Sequence, residues 1–224
     1  MIILECEQRS PEWFRSRLGL PTASSFDKIL TPGGKPSTQA DAYAHILLAE
    51  WLTGEQGGME GNQWMARGTE MEPEARGYYE ILADAAVMEV GLCLADCRRY
   101  GCSPDGLVGD EGLLEIKCPA PHTHVQYLLD GGVPSKYIPQ IQGQLLVTGR
   151  AWCDFLSYSP LMPSVRIRVE RDEKYISTLN GALEKFAESL EGKRQRLIDQ
   201  GVTPIAYEVP DEALTTETAE TRVE

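Results

Sequence analysis

The sequence predicts an α+β fold of the three-layer type, in which helices flank a small mixed sheet. Three observations predict it: helix signals fill the first third, short strands divided by turn residues take over from residue 86, and a long amphipathic helix closes the pattern. Ser10-Pro11-Glu12 reads as an N-cap with proline at the first helical position. Thr22 or Ser24 caps a second helix through Leu30, and TPGGKP (31–36) is a loop. Ser37 or Thr38 opens a long helix with Tyr43, Ile46, Leu47 and Trp51 on one face. After the glycine-rich GEQGGMEG, residues 62–84 are again helix-like apart from Gly68 and Pro73. AVMEVGLCLA, RRYGCSPDGLVG and EGLLEIKCP then read as consecutive strands of an antiparallel meander. Residues 121–148 return to helix, and AWCDFLSYSP and SVRIRVERD are two more strands with Pro160 and Pro163 in their turn. From Asp172 to Gln200 a last helix carries Tyr175, Leu179, Leu183, Phe186 and Leu190 on one stripe.

A chain of 224 residues fits one core, assigned to residues 1–202, with an acidic and flexible tail over 203–224 that has few large apolar residues. No apolar run approaches the roughly 20 residues of a membrane helix. The start, MIILECEQRSPEWF, lacks the basic and long apolar regions of a signal peptide, so an intracellular protein is expected. All six cysteines read as reduced; Cys93, Cys97, Cys102 and Cys118 are spaced C-x3-C-x4-C-x15-C, which matches no zinc pattern built from two close pairs, so these four read as small buried hydrophobes. The net charge of −13 excludes a protein that binds nucleic acid through its whole surface. Part of that charge is local, since Glu208, Asp211, Glu212, Glu217, Glu220 and Glu224 stand against Arg222 alone. Any DNA contact must use a confined basic groove in an acidic body.

Chemistry concentrates in CSPDGLVGDEGLLEIKC, residues 102–118. In a strand, residues two apart share a face, so Glu115 and Lys117 project together while Ile116 points to the core. Pairing with the strand that ends near SPDG would bring Asp105 to the same edge. Two carboxylates and an ammonium then converge, with the Ile116 carbonyl as a further oxygen ligand, and hard oxygens are what Mg2+ takes. A lysine beside such an ion can orient a water and, with its pKa lowered by the metal, take its proton. From these residues alone a second reading stays open: a tight turn running into a solvated cross-strand charge pair.

SPDG followed by EIKC resembles the motif of the PD-(D/E)-x-K nucleases, and three other segments resemble the phage lambda exonuclease group of viral recombination nucleases. These are WFRSRLGLPTAS, ARGTEMEPEAR and YIPQIQGQLLVTG, in that order, with VERDEKY recurring near the last helix. The resemblance extends from about Trp13 to Leu183. It implies a restriction-endonuclease-like core and a processive, Mg2+-dependent 5′-to-3′ exonuclease that degrades one strand of linear duplex DNA, releases 5′-mononucleotides and leaves a 3′ single-stranded tail. It implies two Mg2+ ions per site with Mn2+ as a substitute, a homotrimeric ring around DNA, a single-strand annealing protein as partner, and a phage or prophage origin in a bacterial cytoplasm. Residue by residue, Asp105 and Glu115 match the metal ligands with the Ile116 carbonyl, Lys117 the catalytic lysine, and Glu72 the further acid. Tyr137 and Gln140 match the helix facing the site, and Arg17 and Ser24 the segment that holds the 5′-phosphate.

Each assignment has an ordinary counterpart. Glu72 lies in a run with Glu70 and Glu74, Tyr137 and Gln140 share a helix face as packing pairs do, and Arg17 and Ser24 also read as a surface arginine and a plain N-cap. Pro73 departs from the family pattern and predicts a kink just after Glu72. His122 and His124 in PHTH are expected to be solvent-exposed rather than a metal pair, because such a site needs oxygen ligands. Two other functions stay open: an endonuclease with the same metal motif, and an inert DNA-end-binding scaffold of recombination.

Overall fold

The computed structural model describes residues 1–56, 63–205 and 214–215. Two sheets are present where the sequence predicts one. The larger has five strands in the order β2 (Val87–Met88), β5 (Gly106–Val108), β6 (Gly112–Lys117), β7 (Trp152–Ser157) and β8 (Val165–Glu170). The smaller joins β4 (Gly101–Cys102), β3 (Leu92–Leu94), β1 (Ile2–Leu4) and β9 (Leu214–Thr215). The predicted meander is therefore split between them: LCL pairs with the N-terminal strand and GC with LCL, while GLV and GLLEIK build the large sheet, so the strand beside Asp105 begins after SPDG rather than ending there. β1 was not foreseen, because IIL is too short to show alternation.

The large sheet is mixed, with β6 and β7 parallel and its other pairs antiparallel. Helices cover both faces. Leu114, Ile116 and Leu156 pack with Ala75 and Tyr79 of α3 (Gln63–Ala83). Leu113, Cys153 and Phe155, the alternate residues of the same strands, pack with Tyr127 of α4 (Pro121–Asp130), Ile141 and Leu145 of α5 (Ile138–Thr148) and Ile176 of α6 (Glu173–Asp199). The period of two thus sorts side chains into two separate cores.

Ser10 caps α1 (Pro11–Arg17) by accepting from the Trp13 N–H, and Asp172 caps α6 by accepting from the Tyr175 N–H. All five stripe residues of α6 are buried. The segment after Thr22 is a 3₁₀ turn, Ala23–Lys28, without a side-chain cap, and α2 (Ala40–Thr53) starts after Gln39 rather than at Ser37 or Thr38. In α2, Tyr43 and Leu47 are buried while Ile46 is exposed. Helix α3 runs on through Pro73. The predicted 121–148 helix is two helices, because the left-handed Gly131 ends α4 and Pro134 precedes a short 3₁₀ turn, Ser135–Tyr137. Most of the acidic tail lies outside the described residues, and Leu214–Thr215 pair with β1.

Candidate active site

Strand register assembles the center of the site. Gly106 pairs with Leu114, so Asp105 lies one step beyond, and its Oδ2 accepts the Ile116 N–H at 2.6 Å. The N–H and C=O of one strand residue point to the same edge, so the Ile116 carbonyl also faces Asp105. The Lys117 carbonyl faces the other way and accepts from Tyr158 N at 2.8 Å. Glu115, only 1% exposed, projects on the face opposite Ile116, toward α5. Its Oε1 accepts from Lys117 Nζ at 2.5 Å and Gln140 Nε2 at 2.5 Å, and its Oε2 accepts from Gln144 Nε2 at 2.6 Å.

Burial pushes the Asp105 carboxyl well above its ordinary range, aided by the charges of Glu115 and Glu72. For Lys117, burial opposes the charge, but Glu115 and Asp105 outweigh it and hold the ammonium above its ordinary pKa. Lys117 Nζ also lies 5.1 Å from the Tyr137 ring centroid. Beyond the sheet edge opens a cavity of about 560 Å³ lined by Glu72, Ile116, Lys117, His122, Tyr127 and Tyr137 among others. Glu72 enters it from α3 and accepts from Arg9 Nη2 at 2.5 Å. Asp105, Glu115, Lys117, Glu72, Tyr137 and Gln140 are thus gathered in one region from four segments of chain.

Arg17 and Ser24 meet in a neighboring pocket. Arg17 Nη2 donates to Thr22 Oγ1 at 3.1 Å, Thr22 Oγ1 lies 3.3 Å from Ser24 Oγ, and the guanidinium stacks 4.2 Å from the Trp13 ring centroid. Arg17 Nη1 donates to Ser103 Oγ at 3.2 Å, which also accepts from Trp13 Nε1 at 2.9 Å. Arg17 Nε is buried without a partner. The pocket and the carboxylates are consequently joined by the two-peptide link Ser103-Pro104-Asp105.

Four contributors were not among the site residues read from sequence: Gln144, Ser103, Arg9 and Thr22, the last of which read only as a helix cap. Gln144 had a signal, since it follows Gln140 by four and shares its face. His124 corrects an expectation: it is buried, with Nδ1 2.7 Å from Ser157 Oγ and Nε2 2.9 Å from the Pro163 carbonyl, while His122 is exposed at the cavity. Among the described residues no group of three or more His, Cys, Asp or Glu side chains is placed to hold a metal ion. All six cysteines are free; Cys93 and Cys102 are buried as expected, but Cys97 is exposed and Cys118 half-buried.

A mixed sheet with Asp at one strand start and Glu-x-Lys on the next is the core of the PD-(D/E)-x-K nucleases, and that is the class of this fold. The chain belongs to the YqaJ-like viral recombinase family, whose pattern matches residues 12–151, and to the lambda exonuclease group within that class. It is similar to the alkaline exonuclease LHK-Exo from Laribacter hongkongensis, at 39% identity and a TM-score of 0.78 over 86% of this chain and 98% of that one. LHK-Exo has also been crystallized in complex with dAMP. A phage-related exonuclease from Haemophilus somnus 129PT, at 17% identity and a TM-score of 0.59 over 78% and 96% of the two chains, shares the fold. Uncharacterized protein R354 of Acanthamoeba polyphaga mimivirus is 28% identical over 169 residues, 69% of this chain but 29% of that protein. The chain therefore spans less than a third of that relative. The family and the likeness to LHK-Exo support a nuclease acting in recombination, and no described helix is long and apolar enough to cross a membrane.

Proposed function

We propose that the protein is a Mg2+-dependent, processive exonuclease that enters linear double-stranded DNA at a 5′ end, releases 5′-mononucleotides and leaves 3′ tails for strand annealing. One observation carries this reading: the Arg17 pocket and the Asp105–Glu115–Lys117 group share the Ser103-Pro104-Asp105 segment. An arginine among hydroxyls is an anion site, and its rigid attachment to a carboxylate pair fits a terminal phosphate measured off against the bond to be cut.

The donor set fits Mg2+. Asp105 crowds against other carboxylates, its Oδ2 is used by one N–H, and the neighboring Ile116 carbonyl adds a hard oxygen. Asp105, Glu115 and that carbonyl would hold the metal, two ions per site with Mn2+ able to substitute, and water and phosphate oxygens would complete each shell. Bound there, the ion supplies a water of lowered pKa and charge stabilization at phosphorus. The chain's own residues do the rest. Gln140 and Gln144 hold Glu115 in one rotamer, so its oxygens are presented rather than searched for. Lys117, kept charged by its carboxylates, donates to the attacking water or to a phosphate oxygen. Glu72 faces the same cavity as the further acid, and Tyr137 packs against Lys117 to fix its reach. Arg17 and Ser24 hold the 5′-phosphate, with Ser103 and Thr22 orienting the guanidinium. The dAMP held by LHK-Exo supports mononucleotide release. A homotrimeric ring around the duplex supplies processivity without a basic exterior, consistent with the charge of −13, and a single-strand annealing protein takes the exposed tail.

The test incubates linear 5′-phosphorylated duplex and closed circular plasmid with Mg2+ or with a chelator, using wild type and Lys117→Ala. We expect digestion of the linear DNA alone, only with metal, and slowed at least about 100-fold by the substitution. Nicking of the circle points to an endonuclease, digestion in chelator removes the metal, and wild-type rates in Lys117→Ala remove the site. Binding of DNA ends without digestion leaves the scaffold.

A further inference from the structure

Lys136 is a cation the proposed reaction leaves unused. It sits one residue before Tyr137 in the 3₁₀ turn Ser135–Tyr137 and lines the same cavity as Glu72 and Lys117. Its Nζ lies 4.8 Å from the Tyr137 ring centroid and 5.9 Å from that of Tyr127, whose two hydroxyls are 3.3 Å apart. Several cations of this acidic chain find a carboxylate: Lys193 pairs with Asp41, Arg171 with Glu173 and Arg76 with Glu89. Among the described residues Lys136 pairs with none. Tyr127 and Tyr137 hold the ammonium by their rings and hydroxyls, and such cation–π contacts leave part of its charge and its outward protons available.

Lys117 lies 5.1 Å from the same Tyr137 ring, so the two ammonium groups are no farther apart than those two ring distances laid end to end. Lys117 has Glu115 as its counter-charge, while Lys136 has two neutral tyrosines and the cavity. Packing alone does not call for a charged end there, since a leucine or methionine would cover the two rings as well. A mobile anion at the cavity mouth would supply the missing partner.

We infer that Lys136 is a substrate-binding residue, which grips a backbone phosphate of the DNA strand being cut as that strand passes the Asp105–Glu115 center. This rests on the exonuclease reading above. A compact ammonium holds a phosphate as a point charge and without reading the base, which suits an enzyme that must step along any sequence. The contact operates in the ground state as well as in the transition state, so it acts on KM and on DNA binding more than on kcat.

The test compares wild type with Lys136→Gln and Lys136→Arg on linear 5′-phosphorylated duplex with Mg2+, reading kcat, KM and the slope of log binding constant against log salt, with melting curves as a fold control. Lys136→Gln is expected to raise KM about threefold to tenfold, leave kcat within about twofold, and make the salt slope shallower by about one. Lys136→Arg should keep the slope and most of the affinity. An unchanged KM and slope in Lys136→Gln overturns the contact while wild-type digestion leaves the exonuclease reading standing. A loss of kcat in both variants at an unchanged slope also overturns it and makes Lys136 a support for the tyrosines. A wild type that leaves linear DNA intact overturns the exonuclease reading itself, and this inference with it.

Discussion

Gln144 donates from Nε2 to Glu115 Oε2 at 2.6 Å, one helical turn beyond the Gln140 amide that donates to Oε1 at 2.5 Å. A buried carboxylate is therefore clasped from one helix by two amides and from its own strand by Lys117. Replacing Gln144 with Leu keeps the bulk and removes the donor. The expected result is a loss of about 1–3 kcal/mol, because a buried acceptor loses its partner, and a fall in cleavage of more than about tenfold as Glu115 gains a second rotamer. Urea unfolding and single-turnover digestion measure the two. Unchanged cleavage would show that Lys117 and Gln140 alone fix Glu115.

Much of this center was legible because it rests on local rules. The alternation in LLEIK placed Glu115 and Lys117 on one face, and the spacing of Tyr175 through Leu190 gave the buried stripe of α6; the SPDG turn brought Asp105 to the same edge, but through the strand that follows it rather than the one that ends there. What escaped depends on partners far along the chain. His124 is held by groups 33 and 39 residues away, and β1 is a strand because Leu92–Leu94 and Leu214–Thr215 flank it. Ser103 looked like part of a turn, and nothing near it in sequence announces Arg17 or Trp13 as its partners.

The position of α5, and with it of both glutamines, depends on Gly143. A Cβ at Gly143 would stand 2.4 Å from Phe26 Cδ2, so the helix lies on the 3₁₀ turn with no room for a methyl group. Gly143→Ala is expected to lower stability by about 1–3 kcal/mol despite alanine's better helix propensity. It should also slow cleavage, since a shift of α5 carries Gln140 and Gln144 away from Glu115. Phe26→Leu, which shortens the opposing side chain, should restore part of both in the double variant, and a thermal melt with a digestion time course shows whether it does. Additive losses would place the effect elsewhere.

On the opposite face of the sheet, Asp154 is 0% exposed and accepts from Tyr79, Arg166 and Arg168. Burial works against its charge, but the bonds from Arg168 and Tyr79 and the charge of Arg166 outweigh it, so the carboxyl sits below its ordinary value. A depressed folded-state pKa adds stability that is complete above the unfolded value near 4 and is lost as pH falls through the folded one. Asp154→Asn should cost about 1–3 kcal/mol at pH 7, because charged hydrogen bonds to two partly exposed arginines are weakened. Acid titrations of stability should show a falling component below about pH 4 in wild type that is absent in the variant. Parallel curves would mean that Asp154 does not carry the acid sensitivity.

Arg9 combines an unusual backbone with a placed charge. Its φ of 69° lies in the left-handed region, where a residue with a Cβ is strained, while its guanidinium reaches Glu72 at 2.5 Å. Gln8 fastens the same segment by donating to the Val90 and Pro104 carbonyls, each at 2.8 Å, so the strain is held by neighbors. Two substitutions separate backbone from side chain. Arg9→Ala keeps the strain and loses the ion pair, which for a half-exposed arginine adds no more than about 1 kcal/mol of stability. Arg9→Gly loses the same pair but relaxes the backbone, so it should be the more stable variant by about 1 kcal/mol in urea unfolding. Both should slow cleavage alike if the guanidinium's task is to hold Glu72 toward the cavity. A slow Arg9→Ala beside a wild-type Arg9→Gly would instead assign the effect to the backbone, with the Glu72 contact incidental.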